Sequence, residues 1–278
     1  MEAVVLVENT PGRELEGEHG LSLWIRYGDT YLLLDTGQSG LFWENGKKLG
    51  VPFDKLAYSV LSHGHYDHSG GYGKLLDELP HLKVYGRYTA DHRFYSLKAE
   101  GMRDIGIPEK ILEDHGENFV FVKKDVMIQQ GVWLIGHHGA DLSERGEKTF
   151  LFKEKDGRYV PDDFVHEQSL VFEEKEGLVI CNSCSHAGMD RIVEEVLDIF
   201  PGRKILAVLG GFHLKGKNSM DSMAYPEEEV VALGRHLLEL GVEQVYTGHC
   251  TGNKAYEVLE GVLGDRLHHL TTGNKIFI

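Results

Sequence analysis

The chain has 278 residues, 41% of them hydrophobic, enough for one or two domains with a sizeable core. Its 44 acidic against 29 basic residues give a formal net charge of −15, which opposes a nucleic-acid partner and disfavours a nuclease, because phosphates reward basic surfaces. No stretch reaches the roughly 18 uninterrupted apolar residues of a membrane span, and Met1 to Asn9 reads as a first strand rather than a leader, so a cytoplasmic protein with no membrane partner is expected.

Strand-like apolar runs are expected at 3–7, 21–27, 31–34, 58–62, 82–85, 132–135, 168–172, 178–181, 204–209, 243–246 and 274–278. Two helices stand out between them. Ile192, Val193, Val196, Leu197 and Phe200 recur at helical spacing within Ala187 to Phe200. The second, Pro226 to Leu240, opens on Pro and an acidic triplet and stops before Gly241. The mixture is α/β. No linker rich in Pro, Gly or Ser divides the chain, so residues 1–278 are read as one domain. The less regular segment from about 86 to 124 interleaves Tyr88, His92, Arg93, Phe94, Tyr95 and Arg103, and reads equally as a lid or as a surface helix and loop.

The most informative stretch is Ser62-His63-Gly64-His65-Tyr66-Asp67-His68-Ser69-Gly70-Gly71. Three imidazoles and a carboxylate lie within six residues after an apolar strand. If strand geometry continues, His63 and His65 leave the same face and converge on one cation. Asp67 and His68 follow where the glycines allow a turn, and can address a second. Such a cluster is costly to hold together unless a cation offsets it.

Further along, Leu178 to Gly188 passes from a strand into a helix and carries Cys184 and His186, both suitable metal ligands. His166 lies 18 residues before Cys184 across an expected hairpin, where it can serve as a hydrogen-bonded pocket wall that touches substrate. His213 follows the strand at 204–209 through Gly210 and Gly211. There it can bind a phosphate or leaving group or act as a general acid, with Lys215 adding positive charge. Three cysteines, Cys181, Cys184 and Cys250, cannot all pair, and two sit in His-rich motifs, so metal or catalytic surroundings are favoured over disulfides. A redox dithiol at Cys181-x-x-Cys184 is disfavoured because Cys181 reads as strand interior.

The His63-x-His65-x-Asp67-His68 run followed by Gly-Gly resembles the metal motif of the metallo-β-lactamase superfamily. Tyr31 to Gly37 is similar to its early strand ending in an Asp, here Asp35, which supports the metal site from behind the ligands. Val245 to Gly252 resembles its last motif, where a Gly-His supplies a ligand, here His249. Four runs together resemble a narrower branch, the 7,8-dihydropterin-6-methyl-4-(β-D-ribofuranosyl)aminobenzene 5′-phosphate synthase-like proteins. These runs are Leu61 to His68, Cys184-Ser-His-Ala-Gly188, Gly210-Gly-Phe-His-Leu214 and Gly248-His-Cys-Thr-Gly252. Asn182-Ser183 departs from the small Thr-Gly or Ala-Gly pair usual in that branch.

The resemblance implies a four-layer αββα sandwich of two mixed sheets flanked by helices. It also implies two divalent metal ions, zinc with iron or manganese as alternatives. His63, His65 and His186 would hold one ion and Asp67, His68 and His249 the other, with His186 preferred to His166 because it lies inside the branch motif. Cys184 falls where many members place a bridging Asp, and is expected beside the ligands. The activity implied is hydrolysis of a phosphorylated or ester small molecule by a metal-activated hydroxide that Asp67 orients. The alternatives are a synthase-type condensation, with His213, Lys215 and the 88–95 segment as substrate contacts, and a metal-binding sensor without turnover.

Overall fold

The computed structural model describes residues 1–139, 141–217 and 219–278. Its first half runs through β1 (Glu2–Val7), β2 (Ser22–Tyr27), β3 (Thr30–Leu34), α1 (Leu41–Leu49), β4 (Leu56–Val60), α2 (Tyr66–Ser69), α3 (Tyr72–Glu78), β5 (Val84–Arg87), β6 (Phe94–Lys98), β7 (Gly101–Asp104), α4 (Glu109–His115) and β8 (Phe119–Val122). The second half comprises β9 (Val126–Gln129), β10 (Val132–Gly136), α5 (Leu142–Thr149), β11 (Leu151–Lys155), β12 (Arg158–Pro161), β13 (Gln168–Glu173), β14 (Leu178–Cys181), α6 (Met189–Ile199), β15 (Ile205–Leu209), α7 (Glu227–Glu239), β16 (Gln244–Thr247), α8 (Asn253–Leu263), β17 (Leu267–His269) and β18 (Lys275–Phe277).

Two seven-stranded mixed sheets form the body, ordered β18-β1-β2-β3-β4-β5-β8 and β17-β16-β15-β14-β13-β10-β9. In the first, β3, β4, β5 and β8 run parallel; in the second, β14 to β17 do. Period-2 alternation divides the side chains between layers. Leu32 and Leu34 point into the core between the sheets with Val179, Cys181, Ala207 and Leu209. Leu33 faces the other way, against Phe42 and Trp43 of α1 and Leu75 and Leu76 of α3. Leu178, Ile180 and Val208 likewise face outward, onto Ile192 and Val196 of α6, Val230 of α7 and Leu259 of α8. The architecture is therefore the expected four-layer αββα sandwich. Among the described residues no helix is long and apolar enough to cross a membrane.

Two local expectations are corrected. The strand expected at 58–62 stops at Val60, because the Ser62 backbone N–H is taken by the Asp35 carboxylate at 2.7 Å instead of a neighbouring strand. The segment 86–124, read as irregular, contains β6, β7, α4 and β8. Its β6 and β7 join β11 and β12 in a small antiparallel sheet ordered β12-β11-β6-β7.

Candidate metal centre

The carboxyl ends of the parallel strands of both sheets meet at one place, where loops present ligands in an open α/β architecture. His63 and His65 leave the turn after β4; Asp67 and His68 lie on the single turn of α2. Cys184 and His186 follow β14, His213 follows β15, and His249 and Cys250 follow β16. Several of the residues that make these turns have left-handed backbone, Asp35 (φ 58°), Ser185 (φ 53°), His213 (φ 48°) and His249 (φ 49°), a strained state that clusters at functional sites.

Rings of His63, His65 and His186 face one another with centroids 4.6 to 5.0 Å apart. His63 Nδ1 is 2.8 Å from Ser62 Oγ, which itself donates to Asp35, so the ring donates to Ser62 and turns a lone pair on Nε2 inward. The Nε2 atoms of His63 and His65 and both ring nitrogens of His186 are buried without a hydrogen-bond partner. Burial holds all three imidazoles below their usual range, His65 at about 3, and so keeps them neutral, the form that ligates metal.

The adjoining group is Asp67, His68 and His249. His68 Nδ1 donates to Asp35 Oδ2 at 2.8 Å and His249 Nδ1 donates to Asn9 Oδ1 at 2.9 Å. Each ring therefore turns its Nε2 towards the other, 3.2 Å away, with Asp67 Oδ2 3.6 and 3.5 Å from the two. Against the opposing effect of burial, Asp67 and Asp35 raise His68 to about 9, so that a proton lies among these atoms; a divalent cation would take that proton's place. Burial would raise the Asp67 carboxyl, but the His68 charge and hydrogen bonds from His19 and His249 hold it well below the usual carboxylate range. Both groups thus fit divalent cations through His and carboxylate donors.

Above these groups opens a cavity of about 330 Å³. His65, Asp67, His186 and His249 contribute to its floor, while Lys98, Arg103, Lys148, Lys215 and Lys217 stand around it. Among the described residues no carboxylate lies within 4 Å of the charged groups of Lys98, Arg103, Lys215 or Lys217; Lys148 pairs with Glu229 at 3.0 Å. Burial, then the charges of Lys215, Arg103 and Lys217, holds the Lys98 ammonium below its usual value. In a chain of net charge −15, this is a local concentration of positive charge.

A sequence profile of the metallo-beta-lactamase superfamily matches residues 15–177, more than half of the chain. The chain belongs to the metallo-beta-lactamase superfamily. Among superfamily structures, a crystal structure described as a metal-dependent hydrolase of the beta-lactamase superfamily superposes with a TM-score of 0.82 at 32% identity, covering 100% of this chain and 99% of that one. The 7,8-dihydropterin-6-methyl-4-(beta-D-ribofuranosyl)-aminobenzene-5'-phosphate synthase of Methanocaldococcus jannaschii is 28% identical over 273 residues, 93% of this chain and 90% of the relative. Zn(2+)-bound PqqB from Methylobacterium extorquens shares the fold, with a TM-score of 0.55 at 12% identity over the whole of both chains.

Within this metallo-beta-lactamase scaffold, the structure brings His63, His65 and His186 together as one potential metal-holding group. His166 lies behind them. Its Nδ1 accepts the Gly64 N–H and its Nε2 donates to Asp162, both at 3.0 Å, so both ring nitrogens are occupied, and the fully buried ring is absent from the cavity wall. Asp35 lies behind the histidines, receiving Ser62 and His68. Cys184 Sγ is 3.3 Å from His68 Nε2. His213 and Lys215 line the cavity, and the 86–124 segment adds Lys98 and Arg103, while Tyr88 is 49% exposed and packs under Lys123 away from it.

Sequence reasoning missed His19, whose Nε2 reaches Asp67 Oδ2 at 3.2 Å, and the pair Glu8 and Asn9, which receive the backbone and ring of His249. None of these belongs to a motif. Glu8 and Asn9 follow β1, more than 200 residues from the histidine they serve, and only the fold brings them there.

Proposed function

We propose that the protein is a dinuclear metal-dependent hydrolase of a phosphorylated small molecule. The observation that carries this reading is the juxtaposition of two histidine-centred donor groups with a cavity wall that carries Lys98, Arg103 and Lys215. His63, His65 and His186 would hold one ion; Asp67, His68 and His249 would hold the other. Two divalent cations there, zinc by donor type, would polarise a phosphoryl or carbonyl oxygen and activate water near neutral pH.

The chain's own residues do the rest. Lys98, Arg103 and Lys215 bind and orient the phosphate through charge-assisted hydrogen bonds. Asp67, kept ionised, accepts a hydrogen bond from the attacking water and fixes its direction. His213, at the cavity wall 4.2 Å from the His186 ring, donates a proton to the leaving group. Asp35 and Asn9 hold the imidazoles of His68 and His249 in the tautomer that faces inward.

A screen of phosphomonoesters, phosphodiesters and carboxylic esters tests the assignment. Metal-loaded protein is expected to turn over at least one phosphorylated class, with activity lost in His65→Ala; a folded, metal-loaded protein inert towards every class would overturn it. The likeness to the Methanocaldococcus jannaschii synthase supports a second reading, condensation of a dihydropterin with a ribofuranosylaminobenzene phosphate. The cavity of about 330 Å³ lies at the low end of small-molecule sites, roughly 300–1,000 Å³, and so favours one small substrate over two large ones. Product formation from both partners, with no hydrolysis of either, would reverse that preference.

A further inference from the structure

We infer that Cys184, His213 and Cys250 form a thiolate-containing metal position of their own, beside the histidine groups, that takes a thiophilic divalent cation such as zinc. Three adjacent parallel strands supply one donor each. Cys184 comes from the loop after β14, His213 from the loop after β15 and Cys250 from the turn after β16. Their donor atoms lie within 4.8 Å of one another, and the two Sγ atoms are 3.3 Å apart. Both thiols are buried, and His213 Nδ1 is buried without a hydrogen-bond partner. All three residues also border the cavity, so a cation held by them keeps a side open to solvent or ligand.

The surrounding backbone is built to this arrangement. The His213 N–H donates to Cys250 Sγ at 3.3 Å, the kind of outer hydrogen bond that steadies a ligating sulfur. Gly211 lets the β15 loop pass close to that sulfur: a Cβ there would stand 2.5 Å from Cys250 Sγ. Two sulfurs and one imidazole are a soft donor set, distinct from the histidine and carboxylate groups of the proposed hydrolytic centre, and select zinc or cobalt over magnesium or calcium. Ligation through Nδ1 leaves Nε2 of His213 available to substrate. The inference does not depend on the hydrolase assignment, because its readout is a metal–sulfur bond rather than turnover, even though His213 serves in both and Cys184 Sγ also lies 3.3 Å from His68 Nε2.

Cobalt titration of chelator-treated protein tests it. Wild-type protein is expected to develop an intense sulfur-to-cobalt charge-transfer absorption that is lost in Cys250→Ser and in Cys184→Ser. The imidazole-bound cobalt spectrum from His63, His65 and His186 should persist in Cys250→Ser. Zinc-edge X-ray absorption of the unmodified protein keeps the test independent of how the variants fold; it should show a zinc–sulfur shell near ~2.3 Å. Absence of that shell, or a charge-transfer band that survives in Cys250→Ser, would overturn the inference. A band that needs Cys184 alone would assign one sulfur to the histidine groups and would equally contradict a separate site.

Discussion

Asp35 governs the centre without facing the cavity. One oxygen takes the Ser62 N–H, and the other takes Ser62 Oγ and His68 Nδ1, so a single carboxylate fixes both the turn that carries His63 and the tautomer of His68. An amide offers only one acceptor oxygen. Asp35→Asn is therefore expected to leave the fold intact but weaken metal affinity roughly 10–100-fold, measured by competition against a chromophoric chelator; unchanged affinity would show that Asp35 is merely structural. The imidazoles also set the acid stability of the metal-free protein. Burial depresses His63, His65, His186 and His249, with His65 at about 3, against roughly 6.5 in the unfolded chain. Between those values the unfolded state binds more protons, so stability falls as pH drops. His68, raised to about 9 by Asp67 and Asp35 against the opposing effect of burial, is protonated in both states over that window and does not offset the loss. Thermal melts of metal-free protein should therefore decline from about pH 6.5 towards pH 4, and a flat profile would contradict the assignment of neutral buried histidines.

At the scale of elements, the loops after β14, β15 and β16 and the β6, β7 and β11 strands of the small sheet all line the cavity. Gly210 (φ 136°) makes the β15 turn possible, since a Cβ there would stand 1.8 Å from the Asn182 carbonyl oxygen. Gly210→Ala should cost more than ~1 kcal/mol of stability and displace His213; a neutral effect in denaturant unfolding would count against the tight turn. On the small sheet, Lys98→Ala and Arg103→Ala should each raise KM for a phosphorylated substrate by roughly 10–100-fold, the worth of a charged hydrogen bond of about 1.5–3 kcal/mol, while sparing KM for a neutral ester. Equal effects on both substrates would argue for general damage. The long strands were legible because their apolar runs exceed what a surface can tolerate, and the His63 to His68 run was legible because its ligands are contiguous. The small sheet was not. Gly101-Met-Arg-Asp104 and Leu151-Phe-Lys-Glu-Lys155 are short and charged, and their pairing comes from tertiary context rather than alternation. His166 looked like a ligand by position; only its contacts with Gly64 and Asp162 show that both ring nitrogens are taken.

For the molecule as a whole, fold and charge point in opposite directions and are reconciled at the cavity. The chain is acidic overall, with a formal net charge of −15, yet Lys98, Arg103, Lys148, Lys215 and Lys217 stand around the cavity above the buried donors. The two stacked sheets fix those donors by bringing strand ends from residues 60 to 247 to one edge, so the centre is a property of the completed sandwich rather than of any one motif. The most direct test is hydrolysis of a phosphorylated substrate followed on one preparation before chelation, after complete removal of metal, and after zinc is restored. Activity should disappear with the metal and return with zinc, while circular dichroism at neutral pH shows the fold retained throughout. Turnover that persists in protein shown by elemental analysis to be free of metal would contradict the account.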